Sequence, residues 1–120
     1  MIRVDHEPFP EEIMNQPAVY PDPKTLTEWR RDFHSHPEIA FEETRTSQRI
    51  VEILREHGLD PVTGLGGGTG VVVTIEGNRG PGRAIGLRAD IDALPIEELN
   101  DVDYRSSIPD TGPAAVCACG

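Results

Sequence analysis

The segment Val71-Val72-Val73-Thr74-Ile75 consists of β-branched residues with almost no polar alternation. Such side chains favour strands, and a strand without alternation is typical of the centre of a sheet that is covered on both faces. The segment therefore predicts a central strand. The rest of the chain must supply its neighbouring strands and the layers that cover it.

Two helices are predicted on the N-terminal side of this strand. The first begins at Asp22-Pro23, where a capping side chain precedes a proline at the first helical position. It ends near Ser35, because a proline two residues later disfavours helical geometry. The second covers about residues 42–57, with apolar residues at helical spacing and Gly58 as its left-handed cap.

Two further strands are predicted, at residues 59–63 on an edge and at residues 84–91, the latter joined to the central strand by a hairpin loop at 77–82. Residues 64–70 have the glycine density of a phosphate-binding loop. They precede a strand and lack a Lys-Ser/Thr ending, which favours a tight turn. The order of elements predicts an α/β fold, a mixed β-sheet flanked by helices.

The charge of the chain excludes several classes of partner. The 120 residues carry 21 Asp and Glu against 11 Lys and Arg, a net charge of -10. No basic stripe is present that could collect phosphates, so nucleic acid and anionic membranes are not expected as partners. The N-terminus lacks the apolar run of a secretory signal, and the two cysteines form no disulfide framework, so a cytoplasmic location is expected.

The distribution of charge and proline predicts three regions. Residues 1–21 are acidic and rich in proline, and we expect an extended or disordered leader there. Residues 22–110 form the predicted globular part. Residues 111–120 carry no charge, and their composition suggests a shifted reading frame or a premature end after Pro109.

The histidine pair His34-Ser35-His36 lies at the end of the first predicted helix. Residues two apart on a helix diverge by about 200°. Joint chelation of a metal by the two imidazoles is therefore not expected. His36 is better interpreted as a partner of the helix dipole or as a packing residue.

The motif Asp90-Ile91-Asp92 is the strongest indication of chemistry among the residues themselves. On a strand, both carboxylates point to one side, and two close carboxylates need a metal, an arginine or a shared proton. Arg88 lies on the same face by the same count. A functional site and a structural Arg-Asp cluster that closes a loop both remain open.

Four motifs occur in order along the chain: WRRDFHSHPE at 29–38, FEETRTS at 41–47, GTGVV at 68–72 and GLRADIDALPI at 86–96. Together they resemble the N-terminal part of the N-acyl-amino-acid amidohydrolase and hippurate hydrolase family. This family is related to the aminoacylase and carboxypeptidase metallopeptidases. The resemblance covers about residues 25–109 and implies that they are an incomplete part of a metallopeptidase-like catalytic domain.

The resemblance implies an enzyme in which two divalent metal ions activate water to cleave the amide bond of a small N-acyl amino acid. Asp92 matches the aspartate that orients a metal ligand, and it is the catalytic-site residue that the resemblance assigns. Cys119 matches a metal-ligating cysteine. The pair Glu97-Glu98 comes too early in the chain to match the catalytic glutamates. A homo-oligomer is implied for the full-length family member only.

Three hypotheses about function follow. In the first, the chain is a fragment of a metal-dependent amidohydrolase and is inactive in isolation, because one thiol and two aspartates cannot build a dinuclear site. In the second, it is a stand-alone acidic module that binds Mg²⁺ or Ca²⁺ through Asp90 and Asp92. Phosphotransferase chemistry is weaker, because Ala93 stands where such sites commonly have Thr or Val.

Overall fold

The structure is a computed structural model that describes residues 21–78, 80–96 and 98–106, together with the backbone of residues 116–117. Its elements are α1 (Pro23–Ser35), α2 (Thr44–Glu56), β1 (Val62–Leu65), β2 (Gly70–Val72), β3 (Ala93–Leu94) and β4 (Val116–Cys117). β1 pairs with β2, and β3 pairs with β4, both antiparallel. A parallel bridge joins Ile39 to Ala93. The predicted α/β class is confirmed, while residues 1–20 lie outside the description.

Helix α1 has the boundaries that its sequence predicts. The Asp22 carboxylate accepts hydrogen bonds from the backbone N–H and the hydroxyl of Thr25, at 3.1 and 2.9 Å. Pro23 is the first helical residue, and the helix ends at Ser35, before Pro37. Neither of the described helices is long and apolar enough to span a membrane.

Helix α2 is also confirmed, but its N-terminus is capped from a distance. Glu43 stands at the N-cap position and makes no side-chain capping bond. The carboxylate of Glu38 accepts the backbone N–H of Arg45 at 3.0 Å and that of Thr46 at 2.7 Å. At the other end, Gly58 adopts φ +74°, the left-handed geometry predicted for the cap.

The glycine-rich segment forms the turn of a β-hairpin, as predicted. Val62 pairs with Val72 and Leu65 with Gly70, with an irregularity between these two pairs. The hydroxyl of Thr69 donates a hydrogen bond of 2.6 Å to the Glu43 carboxylate, which ties the hairpin to the start of α2.

Two of the strand predictions are wrong. The strand expected at residues 71–75 ends at Val72 and pairs on one side only, and Val72 is 52% exposed. The strand expected at residues 84–91 is absent, and Leu87 there is 96% exposed. The physical reason is that a strand needs a neighbour for its backbone N–H and C=O groups, and the described residues provide none there.

The interior is small and unusually polar. Among the described residues, Val51 and Ala93 are the buried hydrophobic side chains. Four polar residues are buried with them, namely Glu43, Thr46, Ser47 and Glu98. The two helices are joined by an ion pair in which Arg45 Nη2 lies 2.6 Å from Asp32 Oδ1. Hydrogen-bonded carboxylates therefore contribute much of the order that a larger apolar core would otherwise provide.

Two glycines offer a matched test of the hairpin. A Cβ added at Gly70 would lie 2.7 Å from the Leu65 carbonyl oxygen, a backbone atom, whereas one added at Gly77 would meet nothing within 4 Å. We expect Gly70→Ala to lower the free energy of unfolding by about 1–3 kcal/mol. Gly77→Ala should change it by less than about 0.5 kcal/mol. Chemical denaturation followed by circular dichroism measures both, and equal effects would contradict the predicted clash.

Candidate functional site

Asp92 lies immediately before β3, at the point where the chain re-enters the folded part after a long exposed segment. The next residue, Ala93, is 4% exposed and donates its backbone N–H to the Glu38 carbonyl oxygen at 2.7 Å. Asp92 itself is half-buried. The backbone beside Asp92 is therefore held on the loop between the two helices.

Asp90 forms an ion pair with Arg88, and both side chains are largely exposed. The sequence allowed a metal, an arginine or a shared proton as the partner of these carboxylates. For Asp90, the structure shows the arginine, Arg88. No group of three or more His, Cys, Asp or Glu side chains that could hold a metal ion occurs among the described residues. These residues alone do not fit a dinuclear metal centre.

Cys119 lies outside the described residues, but the backbone two positions before it is described. Cys117 pairs with Ala93, and Val116 pairs with Leu94, in the antiparallel pair of β3 and β4. The cysteine-containing segment thus runs beside the strand that follows Asp92. This proximity is created by backbone pairing between residues that are far apart in the chain, and no local signal in the sequence predicts it.

The two histidines point to different partners, as their helical spacing predicts. His34 Nε2 lies 2.9 Å from the Glu98 carboxylate. His36 Nδ1 lies 2.9 Å from the Asp32 carbonyl oxygen, one turn back in α1, as expected of a histidine at a helix C-terminus. Neither histidine contributes to a shared metal site in the described part of the chain.

The buried carboxylate of Glu98 attaches the segment after β3 to helix α1. Its carboxylate is 3% exposed, pairs with His34, and accepts the backbone N–H of Ser106 at 2.8 Å. These two hydrogen bonds, that from Ser106 first, lower the pKa of Glu98. The exclusion of Glu97-Glu98 as a catalytic pair stays a prediction, and Glu97 lies outside the described residues.

An aromatic contact reinforces the attachment of this segment. The ring of Tyr104 meets that of His34 edge to face, with centroids 5.5 Å apart. The guanidinium groups of Arg30 and Arg31 lie 5.3 and 4.7 Å from the Tyr104 centroid. Residues 98–106 are thus held on α1 by charge, hydrogen bonds and cation–π contacts together.

Glu43 is a second buried carboxylate that sequence reasoning missed. Burial opposes its ionisation, but the hydrogen bond from Thr69 and backbone N–H groups outweigh this effect and leave its pKa lowered. Glutamate is a poor N-cap residue, and α2 obtains its capping acceptor from Glu38 instead.

Comparison with known proteins yields no matching family model. The thermostable carboxypeptidase 2 of Saccharolobus solfataricus is 40% identical over 103 residues, which are 82% of this chain and 25% of that protein. An N-acyl-L-amino acid amidohydrolase of Geobacillus stearothermophilus is 39% identical over 95 residues, 77% of this chain and 23% of that protein.

The structural comparison agrees with these relatives. A crystal structure of the Bacillus subtilis YXEP protein, described as a dinuclear metal-binding peptidase of the M20 family, superposes with a TM-score of 0.71 at 37% identity. The match covers 81% of this chain and 26% of that one. This chain is similar in sequence and fold to M20 peptidases and N-acyl-amino-acid amidohydrolases. It spans about a quarter of the length of its M20 neighbour and of the two relatives described.

A further relative bears a different name. A Rhodococcus jostii protein provisionally named as a glutamate–cysteine ligase is 46% identical over 90 residues, which are 73% of this chain and 11% of that protein. The matched part is too small a share of that protein for its name to describe the match. Several relatives and one solved structure support the similarity to amidohydrolases and M20 peptidases.

The lowered pKa of Glu98 predicts how stability depends on pH. The bonds to its carboxylate stabilise the fold above the ordinary glutamate pKa of 4.5, and this contribution is lost as the pH falls through the lowered pKa. We expect Glu98→Gln to cost about 1–3 kcal/mol at neutral pH and to flatten the acid limb of the stability profile. Urea unfolding from about pH 7 to about pH 3 measures both effects.

The exposed Glu42 provides a control for this measurement. Glu42→Gln removes the same charge without a buried partner, and it should leave both the neutral-pH stability and the acid limb nearly unchanged. If Glu98→Gln retained the full loss of stability in acid, other carboxylates would be responsible for it.

Proposed function

We propose that this chain is part of a metal-dependent amidohydrolase that cleaves the amide bond of N-acyl amino acids or similar small amides. Similarity to an N-acyl-L-amino acid amidohydrolase and to an M20 dinuclear metal-binding peptidase carries the proposal. Another such relative is named an N-acetylcysteine deacetylase. The substrate class is accordingly a small molecule with an acyl group on an amino-acid nitrogen.

Within this enzyme, we assign to Asp92 the role of orienting a metal ligand, and to Cys119 the role of a ligand. The anchored backbone at Ala93 supports the first assignment, since an orienting carboxylate needs a fixed position. The pairing of Ala93 with Cys117 supports the second, since it brings the cysteine-containing strand alongside. The complete enzyme would hold two divalent ions, whose identity is left open.

The isolated chain is expected to be inactive. Its described residues contain no group that could hold a metal ion, and Asp90 is already paired with Arg88. The same observations do not favour the alternative of a stand-alone metal-binding module. The division into a leader at 1–21, a catalytic part at 22–110 and a separate tail at 111–120 stays a prediction, as do a cytoplasmic location and a homo-oligomer of the full-length protein.

A segment exchange tests the proposed activity directly. Residues 22–106 of this chain would replace the matching segment of the Geobacillus stearothermophilus amidohydrolase. We expect the chimera to hydrolyse N-acyl amino acids when Mn²⁺, Co²⁺ or Zn²⁺ is added. Asp92→Asn should reduce kcat/KM by about tenfold to a hundredfold, as removal of a residue that orients a metal ligand does.

Asp90→Asn is the matched control in the same chimera. This variant removes a carboxylate that lies two residues before Asp92 and forms an ion pair with Arg88. It should change kcat/KM by less than about twofold. Equal losses for the two variants would instead favour a site built from both aspartates. An active chimera that is indifferent to Asp92→Asn would disprove the role assigned to Asp92.

Two measurements on the 120-residue chain itself complete the test. With hippurate-like amides and added metal, we expect no turnover above the buffer rate, and metal-dependent turnover would overturn the expected inactivity. Isothermal titration with Mg²⁺, Ca²⁺ or Zn²⁺ should show no micromolar binding site. Micromolar binding that Asp92→Asn abolishes would support the stand-alone module.

A further inference from the structure

Glu38 is bonded to two separate parts of the fold at once. Its carboxylate accepts the backbone N–H groups of Arg45 and Thr46, at 3.0 and 2.7 Å, which are orphan donors in the first turn of α2. A negative charge at this end of a helix is also stabilised by the helix dipole. The side chain of Glu38 is thereby fixed to α2.

The backbone of the same residue holds the strand that follows Asp92. The Glu38 carbonyl oxygen accepts the Ala93 N–H at 2.7 Å, and the next residue, Ile39, forms a parallel bridge with Ala93. Ala93 is among the most buried residues of the described chain, at 4% exposure. The position of Ala93 therefore depends on the position of Glu38.

This attachment matters because the chain before Asp92 has little other support. The described residues from 76 to 90 are exposed and contain no helix or strand. After this segment, the hydrogen bond from Ala93 to Glu38 attaches the chain to the loop between the two helices. A carboxylate that orients a metal ligand must be held to within about 0.5 Å, which requires a rigid support.

We infer that Glu38 is a positioning residue for Asp92, which it reaches through the Ala93 backbone. The inference rests on the proposed function, in which Asp92 orients a metal ligand. Glu38 itself does not contact the reacting atoms. It transmits the rigidity of the α2 N-terminus to the strand that begins directly after Asp92.

Nuclear magnetic resonance on the complete 120-residue chain tests this role with two variants. Glu38→Ala removes both capping bonds, and we expect the Ala93 amide to exchange up to about tenfold faster, with a shifted Asp92 side-chain carboxylate ¹³C resonance. Glu38→Gln retains one acceptor oxygen and should restore part of the Ala93 protection and part of the Asp92 shift. Glu42→Gln, at an exposed glutamate nearby, should change neither.

Amide hydrogen exchange at Arg45 and Thr46 shows whether Glu38 positions Asp92 or only caps helix α2. If Glu38→Ala accelerates exchange at these two amides but leaves Ala93 and Asp92 unchanged, Glu38 is only a helix cap and the inference is overturned. If Glu38→Ala melts α2, as judged by far-ultraviolet circular dichroism, the Glu38→Gln variant is used to test the inference instead. A normal Asp92 resonance in that variant, despite lost capping protection at Arg45 or Thr46, would equally overturn the inference.

These outcomes are independent of catalysis. Failure of the chimera to hydrolyse amides would count against the proposed function and leave the exchange results intact. Unchanged exchange at Ala93 would count against Glu38 and leave the activity of the chimera intact.

Discussion

Glu38 joins the start of helix α2 to strand β3, and the arrangement of the candidate site depends on this residue. Two backbone N–H groups at the start of α2 are satisfied by this side chain, while its own carbonyl accepts Ala93. Unpaired N–H donors at a helix terminus carry a substantial free-energy cost, so the two hydrogen bonds to Glu38 stabilise the start of α2. The hydrogen bond between Ala93 and Glu38 holds the backbone next to Asp92 in position.

Glu43 and Glu98 act in the same way at two other points. Glu43 holds the glycine-rich turn through Thr69, and Glu98 holds residues 98–106 on α1 through His34 and Ser106. Burial alone would disfavour the charged form of each carboxylate, yet both have lowered pKa values because several donors converge on them. Part of the acidic excess of the chain is therefore structural rather than a metal-binding surface.

The candidate site shows how far sequence reasoning reached. The role that the resemblance assigns to Asp92 stays a prediction, whereas the pairing of Asp90 with Arg88 is among the arrangements that strand spacing allows. Glu38 lies within the first motif, but the sequence indicates no role for it, because its partners at 45, 46 and 93 come close only after the chain has folded. The alignment of Cys117 with Ala93 likewise depends on pairing between distant residues.

The sequence by itself determined the features that depend on a few neighbouring residues. These are the start of α1 at Asp22-Pro23, the end of α2 at Gly58 and the turn in the glycine-rich segment. Only the tertiary structure decided which β-branched segments become strands, since residues 84–91 have the side chains of a strand but no strand beside them in the described part of the chain. Helices satisfy their backbone groups locally, whereas strands satisfy theirs through distant partners, and this difference separates what was predictable from what was not.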